Sequence, residues 1–169
     1  IEDNIEHFFA SDKKEALLIT GARQVGKTFI IRKCAKKCVE YVVEINFIEK
    51  AAAVKLFENA RSSEDILLRI SALTDVPLVP GKTVIFFDEV QECKEIVTAV
   101  KFLVEDGRYK YILSGSLLGV ELKDIRSVPV GYMSILEMYP LNFFEFCRAN
   151  KVSQRIFDML EKCWNEKEE

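Results

Sequence analysis

The chain has little net charge, a single histidine and no long apolar run. Its 169 residues carry 24 Lys plus Arg against 27 Asp plus Glu, a net charge of −3. So balanced a chain has no bulk attraction for nucleic acid or for an anionic membrane, although a local basic patch is not excluded. The lone His7 leaves little room for a histidine-based triad and reads as a surface or packing residue. The longest apolar runs, such as Val84-Ile85-Phe86-Phe87, fall far short of the ~20 residues of a membrane helix. No cationic segment leads into an apolar one, so no signal peptide is expected and the location predicted is cytoplasmic. The five cysteines, at 34, 38, 93, 147 and 163, are odd in number and form no C-x-x-C pair. That fits reduced thiols rather than a disulfide framework. Internal repeats and low-complexity segments are also absent. The first residue is Ile, which suggests a trimmed chain or a fragment.

With 49% apolar and 30% charged residues, the composition is that of a folded globular domain. The length suits one domain, with room for a small appendage. Residues 4–9 read as the end of a helix, with Ile5, Phe8 and Phe9 on one side. Residues 16–20 (ALLIT) read as a buried strand, 27–37 as a helix and 39–47 as a second strand. Two helices follow over 49–60 and 64–73, and a proline- and glycine-bearing loop over 75–81. Residues 83–87 read as a strand, 95–105 as an amphipathic helix closed by Asp106-Gly107, and 109–113 as a strand running into Ser114-Gly115-Ser116. Residues 119–129 are irregular and 130–138 alternate. Residues 141–149 and 153–164 are helical, and the tail from 165 is expected to fray. Alternating strands and helices predict an α/β fold: a mostly parallel sheet with helices on both faces, a three-layer sandwich.

The decisive feature is Gly21-Ala22-Arg23-Gln24-Val25-Gly26-Lys27-Thr28, which satisfies G-x-x-x-x-G-K-[ST] between a predicted strand and a predicted helix. Glycines let backbone N–H groups turn toward phosphate oxygens, and the helix N-terminus adds unpaired N–H groups and partial positive charge. Lys27 is then expected to reach the β- and γ-phosphates and Thr28 to ligate Mg²⁺. The strand at 84–87 ends in Asp88-Glu89, and in a parallel sheet that end faces the same crevice as the phosphate loop. Asp88 is expected to support the metal and Glu89 to polarise the attacking water. The strand end Ser114-Gly115-Ser116 offers two hydroxyls that could hold the water or sense the phosphate, with Ser116 preferred.

Taken in order, these residues resemble the AAA-superfamily ATPases of bacteria and archaea that usually carry a C-terminal domain of unknown function. The resemblance runs through LLITGARQVGKT at 17–28, IFFDEVQ at 85–91, ILSGS at 112–116 and MYPLNFFEF at 138–146. It implies an AAA-like core with a sensor strand inserted between the phosphate-loop strand and the Asp-Glu strand. It also implies ATP and Mg²⁺ as cofactors rather than GTP. Many relatives place a Gly-Arg pair before the YPL phrase, but this chain has Gly131-Tyr132, which puts an arginine role there in doubt. Arg126 lies nearby and reads as a solvated loop charge. The family is usually longer, so residues 1–150 are expected to form the ATPase core. Residues 151–169 are expected to be a C-terminal helix opening a lid or a truncated following region. A homo-oligomer or that missing domain is the expected partner.

Other features carry weaker signals. Cys34 and Cys38 lie i, i+4 on one helix and read as packing rather than as metal ligands. Lys33, Lys36 and Lys37 form a basic helix end, favourable to the helix dipole, with nucleic-acid contact as the sharper account. Phe143, Phe144 and Phe146 are expected to be buried or to form an interface, and Trp164 shares a helix face with Phe157 and Leu160. The function expected is ATP binding with Mg²⁺-dependent hydrolysis. The alternative is a nucleotide-gated switch with little turnover.

Overall fold

The computed structural model describes residues 1–60, 62–116 and 131–166, and the chain divides into two compact units, Ile1–Met138 and Tyr139–Glu169. The first unit holds a five-stranded sheet of β1 (Ala16–Gly21), β2 (Tyr41–Asn46), β3 (Thr83–Asp88), β4 (Lys110–Ser116) and β5 (Met133–Met138). Every neighbouring pair is parallel and the spatial order is β2-β3-β4-β1-β5. Parallel strands need crossovers, and from β1 to β4 helices supply them: α2 (Lys27–Cys38), α3 (Ala51–Phe57), α4 (Ser63–Ser71) and α5 (Lys94–Asp106), after an N-terminal α1 (Glu2–Ala10). As the resemblance implies, β4 is inserted between the phosphate-loop strand β1 and the Asp-Glu strand β3.

Strand alternation divides the core in two. Ile85, Phe87 and Leu113 point to one face, packed with Phe57 of α3, Ile66 and Ile70 of α4, and Ile96, Val100 and Leu103 of α5. Val84, Phe86 and Ile112 point to the other, packed with Ile5 and Phe8 of α1 and Ile31, Cys34 and Ala35 of α2. These two apolar layers make the α/β three-layer sandwich. Interior strand β3 is buried along its whole length, whereas edge strand β5 alternates between half-buried and exposed.

Several boundaries differ from the sequence expectation, each for a local reason. Strand β2 begins at Tyr41 because the Val39 N–H still bonds back to Ala35 and closes α2. Helix α3 begins at Ala51, not 49, because the Asn46 side chain accepts the Ile48 and Glu49 N–H groups and holds a turn first. Strand β4 does not stop at Leu113: Ser114, Gly115 and Ser116 stay in the ladder, paired with Ile19, Thr20 and Gly21. A short 3₁₀ turn, Val90–Glu92, follows Glu89 and was not anticipated. The irregular stretch expected at 119–129, with Arg126, lies outside the described residues.

The second unit holds α6 (Phe143–Ala149) and α7 (Gln154–Glu166). Asn142 accepts the Glu145 N–H while the Glu145 carboxylate accepts the Asn142 N–H, each at 2.9 Å. This reciprocal cap starts α6. Phe144 packs on the buried Phe157 with ring centroids 5.8 Å apart. Phe143, Phe144 and Phe146 are all exposed, so of burial and an interface, the two expectations for them, burial is not met. Trp164 lies seven residues after Phe157 on the same helix but is 84% exposed, so the buried patch at Phe157 does not reach it. Helix α7 continues through Asn165 and Glu166, where fraying was expected.

Candidate functional site

The site is built at the C-terminal ends of β1, β3 and β4. Strand β1 ends at Gly21, opposite Met138 of β5. A side chain at Gly21 would bring a Cβ to 2.1 Å from the Met138 carbonyl oxygen, and its φ of 148° already favours glycine. The loop enters α2 through Gly26, whose φ of 98° is left-handed. No side chain caps that helix, so its first N–H groups have no side-chain acceptor, and a helix N-terminus of that kind can receive phosphate.

Lys27 opens α2 and is 6% exposed. Its ammonium donates to the carbonyls of Gly21 at 3.1 Å and Ala22 at 2.7 Å, so it lies folded along its own loop. Burial lowers the Lys27 pKa, with Glu89 and Asp88 pulling the other way. Thr28 donates its hydroxyl to Asp88 Oδ2 at 3.0 Å. Ala22, Arg23 and Gln24 are exposed and Val25 is half-buried. Arg23, Gln24, Gly26, Lys27, Thr28, Phe29, Ile48 and Glu89 line one cavity of about 410 Å³.

Asp88 is the hub. It is 1% exposed and accepts from Thr28, from Asn46 Nδ2 at 3.0 Å, from the Glu89 N–H at 3.2 Å and from the Ser114 hydroxyl. Burial raises its pKa, while the Ser114 and Thr28 hydrogen bonds oppose that rise. A hydroxyl and a carboxylate joined at one point are the oxygen donors a hard cation such as Mg²⁺ takes, so the residues present fit that ion. Glu89 follows, half-buried on the wall of the same cavity, with φ 59° and ψ 47°. A residue bearing a side chain holds that conformation only where its surroundings impose it, and such residues cluster at functional sites.

Lys27, Thr28, Asp88 and Glu89 are thus brought together, as the sequence led one to expect. The two serines divide differently. The ladder pairs Leu113 with Phe87, so Ser114 stands opposite Asp88 and its hydroxyl bonds that carboxylate. Ser116, the preferred candidate, is buried and gives its backbone N–H to Gln91 Oε1 at 3.2 Å. Two residues escaped the sequence reading. Asn46 pairs with Asp88 in the β2–β3 ladder; its signal was a polar amide closing an apolar strand. Gln91 donates to Glu89 Oε2 at 2.6 Å; it closes the IFFDEVQ phrase, but nothing in that phrase tells its role.

The remaining candidates fall away from this site. Tyr132 precedes β5, its carbonyl accepting the Ala16 N–H at the start of β1 and its hydroxyl donating to Glu105 at 2.6 Å. It therefore lies at the opposite end of the sheet from the phosphate loop. Lys33 pairs with Glu2 at 2.8 Å and Lys37 with Glu6 at 2.6 Å, so α1 engages the basic end of α2. Cys34 is buried beside those two carboxylates while Cys38 is exposed, and the two thiols form no ligand pair. His7 is exposed, and no described helix is long and apolar enough to cross a membrane.

An all-parallel sheet with a glycine-bounded phosphate loop after one strand and an acidic end on the next strand but one defines an α/β P-loop nucleotide-binding fold. The AAA domain family matches residues 13–147, most of the chain, and the chain belongs to that family. The Orc1 protein of Aeropyrum pernix, solved in complex with DNA, is similar with a TM-score of 0.56 and 14% identity, over 89% of this chain and 48% of that one. Hsp104 in a closed state with ATPγS and FITC-casein gives a TM-score of 0.59 and 13% identity, over 94% of this chain and 29% of that one. The DnaC helicase loader gives 0.51 and 12%, over 80% and 86%. At these identities the likeness concerns the fold. The chain spans under half the length of the first two. No curated protein matches it.

Proposed function

We propose that this chain is the ATP-binding core of a Mg²⁺-dependent AAA-type ATPase. One observation carries the reading: Lys27 and Thr28, from the phosphate loop, meet Asp88 and Glu89, from a separate strand end, through the Thr28–Asp88 hydrogen bond. The backbone N–H groups of the loop and of the α2 N-terminus receive the phosphates. Lys27 exchanges its two carbonyl partners for β- and γ-phosphate oxygens. Thr28 and Asp88 hold Mg²⁺, which when bound neutralises charge on the phosphates. Glu89 orients the attacking water and takes its proton, and Ser116 senses the γ-phosphate. Catalysis then rests on positioning and electrostatics.

In this reading the nucleotide core lies in the first unit, Ile1–Met138, and the family match extends past it to residue 147. A further domain or other copies of the chain complete the working protein. The DNA bound by Orc1 and the casein bound by Hsp104 belong to those proteins, and a net charge of −3 gives no support for nucleic acid here.

Calorimetry with Mg²⁺-ATP and Mg²⁺-GTP, beside Lys27→Ala, tests the binding half. ATP binding that the variant loses is expected, and no binding by a folded chain overturns it. Turnover that Glu89→Gln abolishes while sparing binding supports hydrolysis. Tight binding with no turnover in the unsubstituted chain would make the protein a nucleotide-gated switch.

A further inference from the structure

The side chain of Gln91 spans two features of the site. Its Nε2 donates to Glu89 Oε2 at 2.6 Å, and its Oε1 accepts the Ser116 backbone N–H at 3.2 Å. Together the bonds determine which end of the amide is which. Turned over, the amide would set its oxygen against a carboxylate and its NH₂ against an N–H, two repulsive contacts in place of two attractive ones.

Both ends of the span are anchored. Ser116 closes β4 in register with Gly21, the first residue of the phosphate loop. Strand β3 ends at Asp88 and its pairing with β4 ends at Phe87 and Leu113, so the Ser116 N–H finds an amide oxygen where the β3 ladder has stopped. At the other end Glu89 holds its left-handed backbone, and Val90 after it is fully buried. A glutamate side chain has several rotatable bonds, and a carboxylate that must orient water needs something to stop it from wandering.

We propose that Gln91 is the positioning residue for Glu89: its amide, aimed by the Ser116 N–H at the end of β4, holds the Glu89 carboxylate where the attacking water is needed. The proposal rests on the hydrolytic reading of Glu89. Gln91 is absent from the residues lining the phosphate-loop cavity and bonds Glu89 and the Ser116 backbone, so its expected effect is on rate and not on nucleotide affinity. A shift at the end of β4, beside the phosphate loop, reaches the Glu89 carboxylate through the Gln91 side chain, while Ser114 and Asp88 reach only the Glu89 backbone.

The test compares Gln91→Met and Gln91→Glu with the unsubstituted full chain. Methionine keeps the length and loses both bonds. Glutamate keeps an acceptor for Ser116 and turns a carboxylate on Glu89. A residue that merely braced β4 would tolerate Gln91→Glu; one that positions Glu89 would not. The expected result is a kcat for Mg²⁺-ATP at least ~10-fold lower in both variants, with KM and calorimetric affinity within about twofold. Adding Gln91→Met to Glu89→Gln is expected to cause no further loss. Wild-type kcat in Gln91→Glu, a loss confined to KM, or an additive loss in the double variant overturns the proposal.

A second measurement is independent of turnover. The Gln91 side-chain NH₂ signal in a ¹H–¹⁵N spectrum, assigned by its disappearance in Gln91→Met, is expected to shift in Glu89→Gln. An unmoved signal overturns the contact. If the unsubstituted chain binds Mg²⁺-ATP without turnover while that signal still reports on Glu89, the hydrolytic reading fails and takes the water-positioning role with it. Normal turnover with indifferent Gln91 variants removes the Gln91 role alone.

Discussion

The crevice at the strand ends and the helical unit after Met138 treat polar and apolar side chains in opposite ways. In the crevice Lys27, Asp88, Ser114 and Ser116 are buried, and Lys27, Asp88 and Ser114 are hydrogen-bonded through their side chains. In the helical unit Phe143, Phe146 and Trp164 are exposed, while Asn142 and Glu145 spend their polar atoms on starting a helix. Both regions carry phrases that resemble the same family. Burying a polar group costs free energy unless it is bonded, so a converged buried set persists only where the fold supports it. The polar residues of the NFFEF phrase have a sufficient local account in their reciprocal cap; those of the phosphate loop and of Asp88 do not, and point to a ligand.

The largest test of this contrast is in the cores. Phe87 is fully buried and packs on Phe47 and Phe57, with ring centroids 6.1 and 6.2 Å away. Phe87→Ala is expected to cost about 3–5 kcal/mol in denaturant unfolding. Phe143→Ala, at an exposed position, is expected to cost less than about 0.5 kcal/mol. Similar losses would erase the distinction between the regions.

Next comes charge. Lys27→Ala is expected to weaken Mg²⁺-ATP binding ~10- to 100-fold, the scale of a lost charge-assisted hydrogen bond. It should not lower the melting temperature, because it removes a buried cation bonded only to loop carbonyls. Arg148→Ala, on exposed α6, is expected to leave binding unchanged; a loss there would extend the site into the helical unit.

A smaller effect falls on the cap. Asn142→Ala is expected to destabilise α6 by about 1 kcal/mol, read as faster hydrogen exchange in its first turn, with Mg²⁺-ATP affinity unchanged. The mildest probe is thiol chemistry. Burial pushes the Cys93 thiol up to about 12, so at pH 8 it stays protonated as well as shielded. A thiol reagent is expected to label exposed Cys38 first and to reach Cys93 only on unfolding, by mass spectrometry of the labelled protein. Early labelling of Cys93 would mean that the interior of the first unit opens readily.

The phosphate loop, the acidic strand end and the alternation of strands and helices were legible because each is local. A glycine that must hold a φ of 98° and a lysine that opens a helix lie next to one another in the chain. Strand ends were harder. Helix α3 starts late because Asn46 bonds ahead of it, and β4 runs on because β1 continues beside it. Neither effect leaves a period in the sequence.

The serines show where local reading stops. Ser114 and Ser116 are two residues apart and so point to the same face of β4, and no pattern separates them. The register that pairs Leu113 with Phe87 sets Ser114 against Asp88, and the end of β3 leaves the Ser116 N–H for Gln91. Asn46 joins only because β2 lies beside β3 in matching register. The phosphate loop, the carboxylates and the α/β class can be read from the chain itself, since backbone conformation and side-chain periodicity are written over a few neighbouring residues. The groups around Asp88 cannot, because Thr28, Asn46 and Ser114 reach it from three distant segments, and hydrogen bonds of that kind depend on strand order and register.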